Sequence, residues 1–150
     1  MQARDLMSTS VVTIRPDATI GEAARLMLER STSSLPVVDD EDHLVGILTH
    51  TDFGLHPRFR PLIDNVYSLL GSSTTPQHIR DVSRRVSSKL VKEVMRRPVT
   101  TVKEDTPIEE ITRLMLTQGI HRVPVVRDSH VVGIITRHDF LKLIASEGNL

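Results

Sequence analysis

Cysteine is absent, which excludes disulfides, thiolate chemistry and cysteine-bound zinc together. Aromatic rings are scarce, with three Phe, one Tyr and no Trp in 150 residues, so base stacking on exposed ring platforms is not expected. Neither sign of charge is in excess: 19 Lys and Arg balance 19 Asp and Glu, which argues against a general affinity for nucleic acid or an anionic membrane. No run approaches the roughly 18 apolar residues of a membrane span. The opening Met1-Gln-Ala-Arg-Asp lacks the apolar core of a signal peptide, so the expectation is a cytoplasmic protein. There is no Gly-rich phosphate loop of the P-loop kind and no H-E-x-x-H segment, and the seven His show no ligand spacing. No metal site and no enzymatic activity are expected.

What is present is a duplication. The segment Leu35 to Phe53, LPVVDDEDHLVGILTHTDF, is rewritten at Val123 to Phe140 as VPVVRDSHVVGIITRHDF. An offset of 88 pairs Met7 with Met95 through to Val38 with Val126, and an offset of 87 then pairs Leu44 to Phe53 with Val131 to Phe140. Identical residues fill 19 of the 42 compared positions, against roughly one in sixteen expected from composition. Each copy opens with a short extended piece, Val11 to Ile14 or Val99 to Val102. Two β-branched runs joined by a polar turn follow further on and read as a hairpin. Between them lies a helix. Thr19 with Glu22, and Thr106 with Glu109, fit a capping box, Pro107 suits a first helical position, and Gly119 suits a stop. Ile20, Ala23, Ala24, Met27 and Leu28, and likewise Ile108, Ile111, Met115 and Leu116, recur at helical spacing and read as core. The unbroken runs VPVV and VVGII predict strands covered on both faces. A unit of about 50 residues buries too little surface to stand alone, so two copies packed about a pseudo-twofold axis are expected.

Two copies of an h-P-V-V…h-G-I-h-T-x-x-D unit resemble a tandem CBS-domain pair, the module named after cystathionine β-synthase. The resemblance covers Asp5 to Gly54 and Val91 to about Ser146. It implies an α+β fold of two βαββα repeats, repeat 1 at 1–54 and repeat 2 at 93–150, with a helical insertion at 55–92. It further implies clefts that take adenosyl ligands such as AMP, ADP, ATP or S-adenosylmethionine, a regulatory role, and association into a homodimer. No cofactor is required.

The residue chemistry suits such a ligand. A carboxylate can accept two hydrogen bonds from a cis-diol, and the family's ribose-binding Thr and Asp map onto Thr136 and Asp139 and onto Thr49 and Asp52. The same T-x-x-D spacing is a helix cap, and either role would account for it. Phosphates need cations: His121, Arg122, Arg137 and His138 are candidates in the second copy, and could equally be solvated surface residues. Their counterparts Ser33, Ser34, His50 and Thr51 offer less positive charge, so the second cleft is expected to suit phosphorylated adenosine better. By resemblance, Ile14 with Pro36 and Val102 with Pro124 line adenine slots, or are simply core.

Leu55 to Lys92 has no counterpart in the repeat. Pro61 to Leu70 and Gln77 to Lys92 read as helices, the second with Ile79, Val82, Val86 and Leu90 on one stripe and Arg80, Arg84, Arg85, Lys89 and Lys92 opposite. The reading favoured is a stand-alone sensor that signals to a separate effector chain. The alternatives are a ligand-free interaction scaffold, in which T-x-x-D only caps helices, and nucleic-acid contact through the basic helix.

Overall fold

The computed structural model describes residues 1–55 and 76–147. In chain order these form α1 (Ala3–Leu6), α2 (Ile20–Glu29), β1 (Ser34–Val38), β2 (Leu44–Thr49), α3 (Asp52–Leu55), α4 (Pro76–Ser87), α5 (Val91–Val94), α6 (Ile108–Gln118), β3 (Arg122–Arg127), β4 (His130–Thr136) and α7 (Arg137–Glu147). The chain divides into two compact units. One holds Met1–Val11, Glu41–Leu44 and Val99–Leu150, and the other holds Val12–Asp40 and Val45–Pro98. Each unit therefore combines the body of one repeat with the leading segment of the other.

The unit built on the second repeat is organised by the antiparallel β3–β4 hairpin. Asp128 and Ser129 turn it with φ of 48° and 67°, the left-handed pair that matches the twist of a two-residue loop. The leading piece contributes one parallel bridge, Val102 to Val125, so the expected extended segment adds a single pairing to the sheet. α6 lays Ile108, Ile111 and Met115 against Val123, Val125 and Ile135, and Ala3 of α1 completes this core. Ser8 then pairs with Ile134, which seats Met7 on Gly133. A Cβ at Gly133 would fall well inside van der Waals contact distance of Met7 Sδ.

The other unit repeats this plan. Ile14 bridges Val37 in parallel, and α2 packs Ile20, Ala23 and Met27 on Leu35, Val37 and Leu48. Val91 and Val94 of α5 take the place that Ala3 and its neighbours hold in the other core. Arg96 pairs with Ile47 through two backbone hydrogen bonds, of 3.0 and 2.9 Å. That pairing puts Met95 over Gly46. All five residues of β1 are buried, as an unbroken apolar run requires.

Three expectations need correction. The Thr106–Glu109 capping box does not form: Pro107 is the N-cap of α6 and gives it no side-chain hydrogen bond, while Thr106 Oγ1 accepts from Lys103 N instead. The reason lies in the register, because the offset of 88 places Thr19 on Pro107 rather than on Thr106. Thr19 itself caps α2 as expected, accepting from Glu22 N at 3.1 Å while Glu22 Oε2 accepts from Thr19 N at 2.7 Å. Leu28 and Leu116 are 82% and 76% exposed, because each follows the core methionine by one residue and is turned about 100° away from it. The helix expected to reach Lys92 ends at Ser87, and Leu90 instead bridges Thr19. Lys89 and Lys92 therefore do not extend its basic face, on which Arg80, Arg84 and Arg85 are exposed. Val86 packs against the core beside Met95. The helix expected at Pro61 to Leu70 lies outside the described residues. Gly119 does end α6, with φ of 63°.

Candidate functional site

In the second-repeat unit, β4 ends at Thr136 and α7 begins at once, so the strand delivers Thr136 and the first helical turn delivers Asp139. Asp139 is 4% exposed. Its Oδ2 accepts from Thr136 N at 2.8 Å and from the Thr136 hydroxyl at 3.0 Å. This is half of a capping box: the carboxylate satisfies a backbone N–H at the helix start, and the hydroxyl donates to the same oxygen. The cap thus uses one carboxylate oxygen. The other, Oδ1, receives Lys142 Nζ from the next turn of α7 at 3.4 Å.

The hairpin register sets Arg122 directly across from Thr136 and Pro124 across from Ile134. Residues two apart on a strand share a face, so Arg122 and Pro124 lie on one side, with Arg122 beside the hydroxyl. His121 O accepts from Arg137 N at 3.1 Å, which ties the start of β3 to the start of α7. His121, Arg137 and His138 are exposed and Arg122 is half-buried. Val102 is 6% exposed and its N–H donates to Pro124 O at 3.1 Å, so the two residues expected to border adenine are in register with each other. The structure brings together Thr136 with Asp139, Arg122 with Thr136, His121 with Arg137, and Val102 with Pro124.

In the first-repeat unit the corresponding set is Thr49, Asp52, Ser33, Ser34, His50, Ile14 and Pro36. Asp52 is 1% exposed, and its Oδ2 accepts from Thr49 N at 2.8 Å and from the Thr49 hydroxyl at 2.9 Å. Thr49 Oγ1 also lies 2.8 Å from Thr51 Oγ1. Ser33 O accepts from His50 N at 3.0 Å, as His121 does from Arg137. Ser34 is buried, and Ile14 N donates to Pro36 O at 3.0 Å. The outer oxygen differs from its counterpart. Asp52 Oδ1 accepts from Arg96 Nε at 2.6 Å in an ion pair whose arginine side chain is 61% exposed. Sequence reasoning missed Arg96, and its only trace there is that the offset of 88 pairs it with Ser8.

Two cavities among the described residues lie away from the two acids. One of about 450 Å³ borders Ile14 together with Glu22 and Arg25, and one of about 150 Å³ borders Arg137 and Phe140; neither is lined by Asp52 or Asp139. Among the described residues no buried side-chain nitrogen or oxygen lacks a hydrogen-bond partner.

The sequence pattern of the CBS domain matches residues 3–53 and 91–146. The chain belongs to the CBS domain family. It is 37% identical over 142 residues to an inosine-5′-monophosphate dehydrogenase of Methanocaldococcus jannaschii, covering 94% of this chain and 23% of that enzyme. The chain spans between 23% and 57% of the length of the first curated relatives it matches. Among solved structures, the CBS domain of a CBS domain-containing membrane protein from Sphaerobacter thermophilus superposes with a TM-score of 0.75 at 35% identity, over 95% of this chain and 87% of that one. The CBS domain pair of protein MJ0100, solved in complex with 5′-methylthioadenosine and S-adenosyl-L-methionine, gives 0.72 at 27% identity over 98% of each chain. The fold is thus the α+β arrangement of a CBS pair. No helix among the described residues is long and apolar enough to cross a membrane.

Proposed function

We propose that this CBS pair is a regulatory module that binds adenosyl ligands, with Asp139 and Asp52 as the ribose-binding acids. The observation that carries the reading is the division of labour on each carboxylate. One oxygen caps the helix, and the other is turned to a largely exposed cation rather than to the acid's own backbone. A cap needs one oxygen, so burying the whole group with a second one available suits a diol. Thr136 and Thr49 support the acids, and Arg122 lies beside Thr136 on the side where a phosphate would extend. His121, Arg137, His138, Ser33, Ser34 and His50 form the remainder of the polar rims, and Val102, Pro124, Ile14 and Pro36 the apolar floors. The MJ0100 pair, which carries adenosyl compounds, supports the ligand class. Signalling follows if the ligand binds one arrangement of the module better than another. The receiver is an effector protein, and two copies of the chain associate through the apolar side chains of Leu116, Leu141 and Ile144, which are 62–76% exposed.

A thermal-shift series with AMP, ADP, ATP, S-adenosylmethionine, 5′-methylthioadenosine, NAD and GTP tests this. A ligand at a hundredfold over its Kd adds roughly 2.7 kcal/mol. Adenosine-bearing compounds should shift the wild type and not the Asp52→Ala/Asp139→Ala double variant. Equal response of the two proteins, or none by either, leaves the capping role as the whole account of T-x-x-D.

A further inference from the structure

The two acids are not equally available, and the difference rests on one side chain. We propose that Arg96 is a specificity-determining latch on the first-repeat site. It holds the Asp52 oxygen that a ribose diol needs, so that this site admits adenosyl ligands bearing a phosphate and turns away uncharged ones. The inference rests on the functional reading above and adds to it a charge requirement at one site.

The geometry is specific. Asp52 Oδ2 already accepts two hydrogen bonds from Thr49, so a diol must be received largely by Oδ1, where Arg96 Nε sits at 2.6 Å. A charge-assisted bond to a buried carboxylate is among the stronger ones available. An uncharged nucleoside has nothing to offer the guanidinium in exchange. A phosphate has: its oxygens match the planar fork of Arg, which is weakly hydrated and suited to bidentate pairing. The Arg96 side chain is 61% exposed and so has room to swing from the acid to a phosphate outside it. Its backbone stays fixed during such a swing, because Arg96 N and O are both paired with Ile47.

The second-repeat unit lacks this device. Its counterpart of Arg96 is Ser8, held by the same pair of backbone hydrogen bonds, to Ile134 at 3.0 Å each. The cation at Asp139 Oδ1 is instead Lys142, at 3.4 Å, 63% exposed and on a flexible stem. Such a contact is weak and screened by solvent, so the second-repeat site accepts a diol with or without a phosphate.

Isothermal titration with adenosine and AMP decides it. Wild type should bind adenosine at one site per chain and AMP at two. Asp139→Ala isolates the first-repeat site and should bind AMP while losing adenosine. Adding Arg96→Ser, which copies Ser8, should restore adenosine binding and narrow the AMP-to-adenosine preference by about tenfold or more, the scale of one charged hydrogen bond. Arg96→Gln, neutral and of similar length, should narrow it too, and serves if the serine variant is poorly folded. Two equal adenosine sites in the wild type, or an Asp139→Ala preference unmoved by both Arg96 substitutions, overturns the latch and leaves the functional reading standing. Failure of wild type to bind either compound overturns both.

Discussion

The two T-x-x-D segments are identical in their Thr and Asp, and each closes its helix start with the same pair of hydrogen bonds to Oδ2. They part at Oδ1, where one acid meets Arg96 from a leading segment and the other meets Lys142 from its own helix. The helix-capping half of the motif is therefore duplicated faithfully, and the partner of the other oxygen has diverged. The divergence does not lie in the motif at all. It lies outside it, in Lys142 of α7 and in the residue after Met95: Arg96, paired with Ile47 of β2, reaches Asp52, where its counterpart Ser8 is a small side chain paired with Ile134 of β4.

The largest expected effect tests this difference directly. Asp52→Ala removes a buried group with three charge-assisted contacts and should cost about 2–3 kcal/mol in urea denaturation, held below the full penalty of a broken buried pair because Arg96 can return to water. Asp139→Ala removes the same cap with a weaker cation and should cost about 1–2 kcal/mol. Equal losses would mean that Arg96 adds nothing to stability and that the two units are alike where they matter. Next come the glycines. A methyl at Gly133 would meet Met7 Sδ, Cγ and Cβ, and one at Gly46 would meet Met95 Sδ and Cγ and then Arg96 O at 3.3 Å. Each substitution to Ala overpacks a close contact, at about 1–3 kcal/mol, with Gly133→Ala the worse because Met7 Cβ cannot swing aside. Met7→Ala should recover part of that loss. If it recovers nothing, the seating of Met7 on Gly133 is not what requires glycine there.

Much of this was legible in the chain. Met7 with Met95 and Gly46 with Gly133 are identities of the repeat, and the fold shows why they persist together: each methionine fills the space a side chain would take. The hairpins, the cap at Thr19 and the stop at Gly119 follow from local chemistry, which sequence spacing reports well. What did not follow were features set by partners distant in sequence. Arg96 reaches Asp52 across 44 residues, and nothing in its neighbours marks it. The exchange of leading segments, with Ala3 in one core and Val91 in the other, is a matter of topology that a repeat alignment cannot contain. Leu28 and Leu116 match the helical stripe as letters but sit one step off its buried arc.

A milder test concerns the helix starts. Thr19→Ala should lose about 1 kcal/mol, the usual worth of an N-cap hydroxyl. Thr106→Ala should stay within about 0.5 kcal/mol, since its hydroxyl serves only an exposed turn. A Thr106 variant as damaging as the Thr19 one would restore the capping box that the structure replaces with Pro107.

The smallest effect is a pH dependence in the second-repeat unit. Arg127 donates to both oxygens of Glu104, Nε at 2.8 Å and Nη2 at 2.7 Å. The hydrogen bond from Arg127 holds the Glu104 carboxyl below its ordinary value, with burial opposing it and the charges of Arg127 and Arg4 assisting. The offset places Pro16 and Asp39 at these positions in the first repeat, so the Glu–Arg pair itself is not copied there. A carboxyl depressed in the folded state adds stability above its unfolded value, and that stability is lost as pH falls through the folded one. Melting curves through the acid range should therefore fall more steeply for wild type than for Glu104→Gln, and the gap should narrow with added salt because the pair is exposed. Parallel curves at low salt would show that solvent has already cancelled the bridge.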